Sequence, residues 1–315
     1  MRSKYYGERA LAGLRRLAEL RLHDGPSAMS PHELIAASLD VDLIIADRLT
    51  AGPVEVFKGL PKLKAFLRCA VDIRNIDVAA ATAAGVLVTR AKPGFVESVT
   101  ELTLGFLVDL ARGVSRATAD YHSGRTPDLQ MGRQLAGSTV GIIGYGSIAR
   151  HLAPVAASLG MAVLIADPHI SVDDVRFRQV PLGTLLAQAD HVVCLAVATD
   201  ETENLIDAAA FQRMKRDAVF INVSRGNLVD EDALVAALRE GVIAGAAMDV
   251  GRALDQMPTP AVAALSNVIA TPHIGGLTPP AIEAQALDTV DQVRDLVAGN
   301  VPRGAVNPEH WSRRP

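Results

Sequence analysis

Residues 139–150 read TVGIIGYGSIAR, an apolar run that breaks into Gly144-x-Gly146-x-x-Ala149 and passes at once into a helical pattern, SIARHLAPVAASLG. Glycines at the first and third positions let the backbone turn tightly and approach a pyrophosphate. Its charge then rests on the amides of the helix start, where Ser147 and Ile148 stand. Alone, such a loop is a weak signal, because a glycine-rich strand-to-helix turn also serves purely structural ends. The next apolar run, AVLIA at 162–166, strengthens it by ending in Asp167, at the distance of about 20 residues where such folds carry an acid. A carboxylate there accepts hydrogen bonds from an adenosine ribose diol and repels a 2′-phosphate, so NAD is expected in preference to NADP. The bland alternative for Asp167 is a helix or turn cap before Pro168.

Outward from this stretch, short β-branched runs alternate with longer helical patterns. DLIIA (42–46), LKAFLRC (63–69) and GVLVT (85–89) form a first set of strands. A long helical pattern from Ser98 to Gly124 joins it to a second set: TVGII, AVLIA, HVVCLA (191–196), AVFINV (218–223), VIAGAAM (242–248) and NVIAT (267–271). The alternation predicts the α/β class, with parallel sheets built from βαβ units. The length of 315 residues is that of about two domains.

Composition narrows the function. With 49% apolar and 21% charged residues the chain is globular rather than disordered, and a net charge of −4 spread among both signs leaves no basic face for nucleic acid. Cys69 and Cys194 lie far apart in apolar runs, without metal or disulfide spacing, and are read as buried thiols in a reducing compartment. No metal site is expected. No run reaches the roughly 18 apolar residues of a membrane span, and the amphipathic start lacks a cleavage site, so the expected location is the cytoplasm.

Four stretches in fixed order resemble the D-isomer-specific 2-hydroxyacid dehydrogenases, which include phosphoglycerate and glycerate dehydrogenases. They are VGIIGYGSIAR, MKRDAVFINVSRGNLVDEDALVAALREGVIAGAAMDV, TPHIGG and GNVPRGAVNPE, and they span nearly the whole chain. The resemblance implies a Rossmann-type NAD-binding domain, residues 96–284, inserted in a flavodoxin-like substrate domain made from 1–95 and 285–315, and a homodimer acting on a small-molecule substrate. It implies that Arg225 binds the substrate carboxylate and polarises its carbonyl, and that His273 is the acid/base. Val223, Asp249 and Gly275 join Gly144, Gly146, Ser147, Ile148 and Asp167 as implied cofactor contacts. The residue types suit the chemistry: a group titrating near neutrality can hand a proton to a carbonyl oxygen that receives hydride, and a planar guanidinium matches a carboxylate. The blander readings are a helix-capping His273 and a surface ion pair for Arg225.

Four departures accompany the resemblance. The family usually sets a glutamate against the histidine, but Leu254 stands at that position, which should lower the protonated fraction of His273 at neutral pH; Asp255 is the candidate substitute. In LRCAVDIRNID (67–77), Ala70 and Asp72 replace glycines of a turn that helps hold the substrate, so Arg68, Val71 and Asp72 are substrate-site candidates. In RAKPGFVESVTE, the unusual Arg90, Lys92 and Phe95 suggest a cationic, partly apolar wall for a second anionic group. The first strand is either lost or supplied by LRLHD (20–24). The leading expectation is an NAD-dependent oxidoreductase interconverting a 2-hydroxy acid and its 2-oxo acid. The alternatives are a catalytically weak NAD-binding regulatory protein, or an NAD-assisted isomerase or lyase on the same scaffold.

Overall fold

Among residues 6–314, which the computed structural model describes, ten parallel strands form two separate sheets. The chain divides into two compact units, one running up to Phe95 and resuming at Thr278, the other Val96–Leu277. The expected border at 284/285 falls inside the helix Pro279–Val297, which Thr278 caps by accepting from the Ala281 amide.

The first unit holds β1 (Leu43–Ala46), β2 (Ala65–Arg68) and β3 (Leu87–Arg90) in the order β1-β2-β3. Central β2 is buried along its whole length, which is why AFLR carries no period-two alternation. Residues 20–24 form no strand, so LRLHD does not extend this sheet, and residues 1–5 lie outside the described part. The three strands correspond to one side of a five-stranded flavodoxin-like order. Helix Glu8–Arg15 buries Ala10, Leu11 and Leu14 in a cluster with Val290, Val293 and Leu296 of the helix Pro279–Val297. The chain end is stapled to the sheet: Asn307 accepts from the Val88 amide and donates to Val86 O, while the Trp311 indole donates to Lys64 O.

The second unit opens with helix Val96–Arg112. The single long helix expected from Ser98 to Gly124 is broken at Gly113, whose φ of 68° is left-handed, and resumes as Val114–His122. That second helix buries none of its residues. Then follow β4 (Thr139–Ile143), β5 (Ala162–Ala166), β6 (Arg178–Gln179), β7 (His191–Cys194), β8 (Val219–Asn222), β9 (Gly245–Met248) and β10 (Val268–Ala270). Their order is β10-β9-β8-β7-β4-β5-β6. This is the doubly wound 3-2-1-4-5-6 order read from β6, with β10 added at the far edge. The strand order reverses between β4 and β7, and ligands of such sheets bind outside the carboxyl ends of the strands there. No helix among the described residues is long and apolar enough to cross a membrane.

Candidate active site

The carboxyl end of β4 runs into Gly144, whose φ is 89° and whose Cβ, if present, would lie 2.8 Å from Ala196 Cα. Only glycine fits so close to the neighbouring strand end. Gly146 precedes the helix Ser147–Ser158, no side chain caps that helix, and a Cβ on Gly146 would meet nothing within 4 Å. An uncapped helix start facing open space suits a pyrophosphate, whose oxygens would accept from the orphan amides at Ser147 and Ile148. The residues present therefore fit a dinucleotide. Asp167, just past β5, ties its own turn and the glycine loop together: Oδ1 accepts from the His169 and Ile170 amides, at 2.8 and 3.1 Å, and Oδ2 from the Tyr145 amide at 2.8 Å. Its capping role is thus real. With about four acceptor positions on a carboxylate, room is left for one ribose hydroxyl.

Arg225 follows β8 on a turn braced by Asn222, which is fully buried. The Asn222 side chain donates to Arg225 O at 2.9 Å and accepts from the Ser224 amide, while Ser224 Oγ donates to Ala196 O at 2.7 Å. Half-buried Arg225 donates through Nη1 to Ser224 O, and Val223 is buried beside it. A Cβ on Gly226 would sit 2.0 Å from Gly251 O, so the turn after β8 and the loop after β9 touch backbone to backbone.

That second loop leads to His273. Asp249, only 2% exposed, closes β9 and turns its carboxylate toward the stretch after β10. Oδ1 accepts from Thr271 Oγ1 and the Ile274 amide, and Oδ2 from the Gly275 amide at 2.8 Å. The residue expected at the cofactor is therefore also the clamp that shapes the TPHIGG turn. Within this turn His273 holds a left-handed φ of 56°, and its Nδ1 lies 2.8 Å from the main-chain oxygen of Asp255. Asp255 and Gln256 are left-handed too, at φ 55° and 58°. Such residues cost on the order of 1–3 kcal/mol each and persist only where the surroundings over-determine them. Here Glu231 does so, accepting from the Arg252 amide at one end of the loop and from Thr259 Oγ1 at the other. Leu254 is 84% exposed. Asp255 meets the histidine through its carbonyl, a contact that side-chain types in the sequence do not signal; Asn222 and Glu231 also went unnoticed, being ordinary residues in ordinary strand and helix contexts.

The first unit treats its candidates differently. Arg68 is not an open cation: it is fully buried, and its Nη2 donates to Thr50 O at 2.9 Å and Asn75 Oδ1 at 2.6 Å, cross-tying the loops after β1 and β2. Burial pulls its guanidinium down to about 10. Asp72 accepts both the Arg74 amide and its guanidinium, at 2.7 Å for Nη2, so its charge is matched within the turn. Lys92 is likewise paired, Nζ lying 3.8 Å from Asp288 while its amide donates to the same carboxylate. Of the expected cationic wall, Arg90 stands exposed at the end of β3; Val71 and Phe95 are half-buried.

Comparison with known proteins agrees with this geometry. Residues 104–275 match the sequence profile described as D-isomer specific 2-hydroxyacid dehydrogenase, NAD binding domain. A D-3-phosphoglycerate dehydrogenase of Synechocystis sp. is 34% identical over 299 residues, covering 94% of this chain and 54% of its own length. The chain thus spans about half the length of such relatives. An (S)-sulfolactate dehydrogenase of Chromohalobacter salexigens is 35% identical over 300 residues, covering 93% of this chain and 96% of that protein. The crystal structure of the TT0316 protein from Thermus thermophilus superposes with a TM-score of 0.88 at 30% identity, covering 96% of this chain and 98% of that one. The chain belongs to the D-isomer specific 2-hydroxyacid dehydrogenase family, and its central unit carries that family's NAD binding domain.

Proposed function

We propose that this protein is an NAD-dependent dehydrogenase that interconverts a small 2-hydroxy acid and its 2-oxo acid. The observation that carries the reading is the placement of His273, Arg225 and the glycine loop at the carboxyl ends of strands of one sheet. The bound cofactor supplies the hydride, or accepts it in the reverse direction. Arg225 receives the substrate carboxylate in its planar fork and draws electron density from the adjacent carbonyl. His273 gives a proton to that carbonyl oxygen during reduction and takes one from the hydroxyl during oxidation. Gly144, Gly146, Ser147 and Ile148 hold the pyrophosphate, with Val223 and Gly275 lining the cofactor, and Asp167 meets the adenosine ribose. A preference for NAD(H) over NADP(H) follows, and comparative titration of the two cofactors tests it: equal or tighter NADP(H) binding removes this role from Asp167.

For the substrate we favour an acid with a second anionic group. The names of two relatives, phosphoglycerate and sulfolactate dehydrogenase, both denote such acids, and Arg90 is an exposed cation of the first unit. Arg90→Ala with an unaltered preference between mono- and dianionic acids would end this part of the reading. A homodimer is supported by the helix Val114–His122, which buries nothing, and by Leu129 and Met131, which are almost fully exposed just beyond it. Unpaired Cys69 and Cys194 support a reducing, cytoplasmic setting.

The decisive experiment is a screen of NADH oxidation against a panel of 2-oxo acids, with Arg225→Ala and His273→Ala as controls. The dehydrogenase reading expects turnover that falls about a hundredfold or more in His273→Ala while cofactor affinity is kept. Leu254 at the usual glutamate position favours the second reading, a catalytically weak NAD-binding protein. Tight NADH binding without turnover on any acid would establish it.

A further inference from the structure

We infer that the main-chain carbonyl of Asp255 is the positioning group of His273: it fixes the neutral ring as the Nδ1–H tautomer and thereby leaves Nε2 to exchange the proton with substrate. The first half stands on geometry alone; the second rests on the dehydrogenase reading. A carbonyl oxygen can only accept, so the 2.8 Å contact requires the hydrogen to sit on Nδ1. A neutral imidazole carries one N–H, so the lone pair is then on Nε2. On protonation the new hydrogen appears at Nε2, the atom that a proton donor must present.

The carbonyl is aimed deliberately by the chain. Asp255 and Gln256 take two consecutive left-handed conformations, which reverse the backbone and turn the peptide between them toward His273. Three hydrogen bonds close the loop around that reversal, from the Gly251 amide to Gln256 O, from Gln256 to Ala253 O and from Ala253 to Met257 O. Glu231 pins both loop ends, and Asp249 independently fixes the turn that carries the histidine. Donor and acceptor are thus held from two sides. The side chain of Leu254, whose position would hold a carboxylate in the usual family pattern, is exposed, and its main-chain carbonyl accepts from the Met257 amide.

The test reads the tautomer directly, by nitrogen-15 NMR of the protein labelled at histidine, with His273→Gln assigning the resonances. The expected result is a protonated Nδ1 and a pyridine-type Nε2 in the neutral ring. Asp255→Asn keeps the carbonyl and tolerates a positive φ, so it keeps the tautomer. Asp255→Val disfavours a positive φ, because a β-branched side chain crowds that conformation; it should give a mixture of tautomers and a kcat lower by about 10- to 100-fold at unchanged cofactor affinity. Asp255→Gly, free to take the left-handed conformation, should restore the tautomer, and thermal melting with NADH binding shows whether the valine variant is folded. A pyridine-type Nδ1 in the parent protein overturns the inference. So does loss of the tautomer in Asp255→Asn, since the carboxylate would then be the agent. An Nδ1–H ring in a protein that reduces no 2-oxo acid would sink the dehydrogenase reading and leave the tautomer assignment standing.

Discussion

His191 opens β7 at 1% exposure, between Val140 and Val219 of the flanking strands, and neither ring nitrogen has a partner among the described residues. Burial holds its pKa below the usual histidine value, against the weaker pull of Asp190. The folded state therefore keeps the ring neutral, while the unfolded chain takes up a proton near pH 6.5. Stability is complete above that value and is lost as pH falls from about 6.5 toward the lower folded-state pKa. Thermal melts across this range should show the loss, and His191→Leu should flatten it; an equal acid-side slope in the variant would place the cause elsewhere. Other candidates were singled out from their flanks. Arg225 and His273 stand out because SRG and TPHIGG match the family pattern, and Asp167 because it ends a strand at the distance expected of an acid on the ribose. What holds His273 was not legible, since every residue owns a carbonyl and only φ and ψ decide where it points. The surroundings of Arg68 were hidden for a related reason: its charge shows in the sequence, and its burial and the Thr50 and Asn75 oxygens that accept from its Nη2 do not.

At the scale of elements, the inner strands β4, β5, β7, β8 and β9 of the large sheet could be read from their apolar runs because both faces are covered. The two-residue β6 could not, being too short to carry a pattern. The break at Gly113 was hidden because helical spacing continues on either side of it. The loops beyond the strands are where pattern gives out and contact takes over. Gly226 and Gly251 let two of these loops meet, and a methyl group on Gly226 has no room. Gly226→Ala should therefore push the Arg225 turn and the His273-orienting loop apart. The expected cost is about 1–3 kcal/mol in chemical denaturation, with turnover reduced by about tenfold or more. A variant of parental stability and rate would show that the loops yield without consequence. Glu231→Gln, which keeps two bonding atoms but exchanges an acceptor for a donor, is a milder perturbation of the same assembly.

For the whole molecule, an inserted cofactor domain was the expectation carried by the family resemblance, and the chain divides after Phe95 and before Thr278; the shortened small sheet had no signal in the sequence. The arm formed by Val114–His122 and the stretch through Met131 leaves Tyr121, Leu129 and Met131 in water. If a second copy covers it, Leu129→Asp combined with Met131→Asp should shift sedimentation from dimer to monomer while the cofactor unit still binds NADH. A variant that sediments as the parent does would locate the contact elsewhere. The route by which Asn307 and Trp311 fasten the segment after Val297 to the small sheet has a temporal consequence. A ribosome delivers Val96–Leu277 between the two parts of the first unit, an interval on the order of ten to forty seconds at about 5–20 residues per second. During that interval Leu11 and Leu14 have neither Val290 nor Trp311 to cover them, so the nascent chain carries an unfinished half-domain past the folding of its neighbour. Chains released after residue 304 should keep a protease-resistant 96–277 fragment while the first 95 residues are digested, and their need for a holdase chaperone should exceed that of the 315-residue chain.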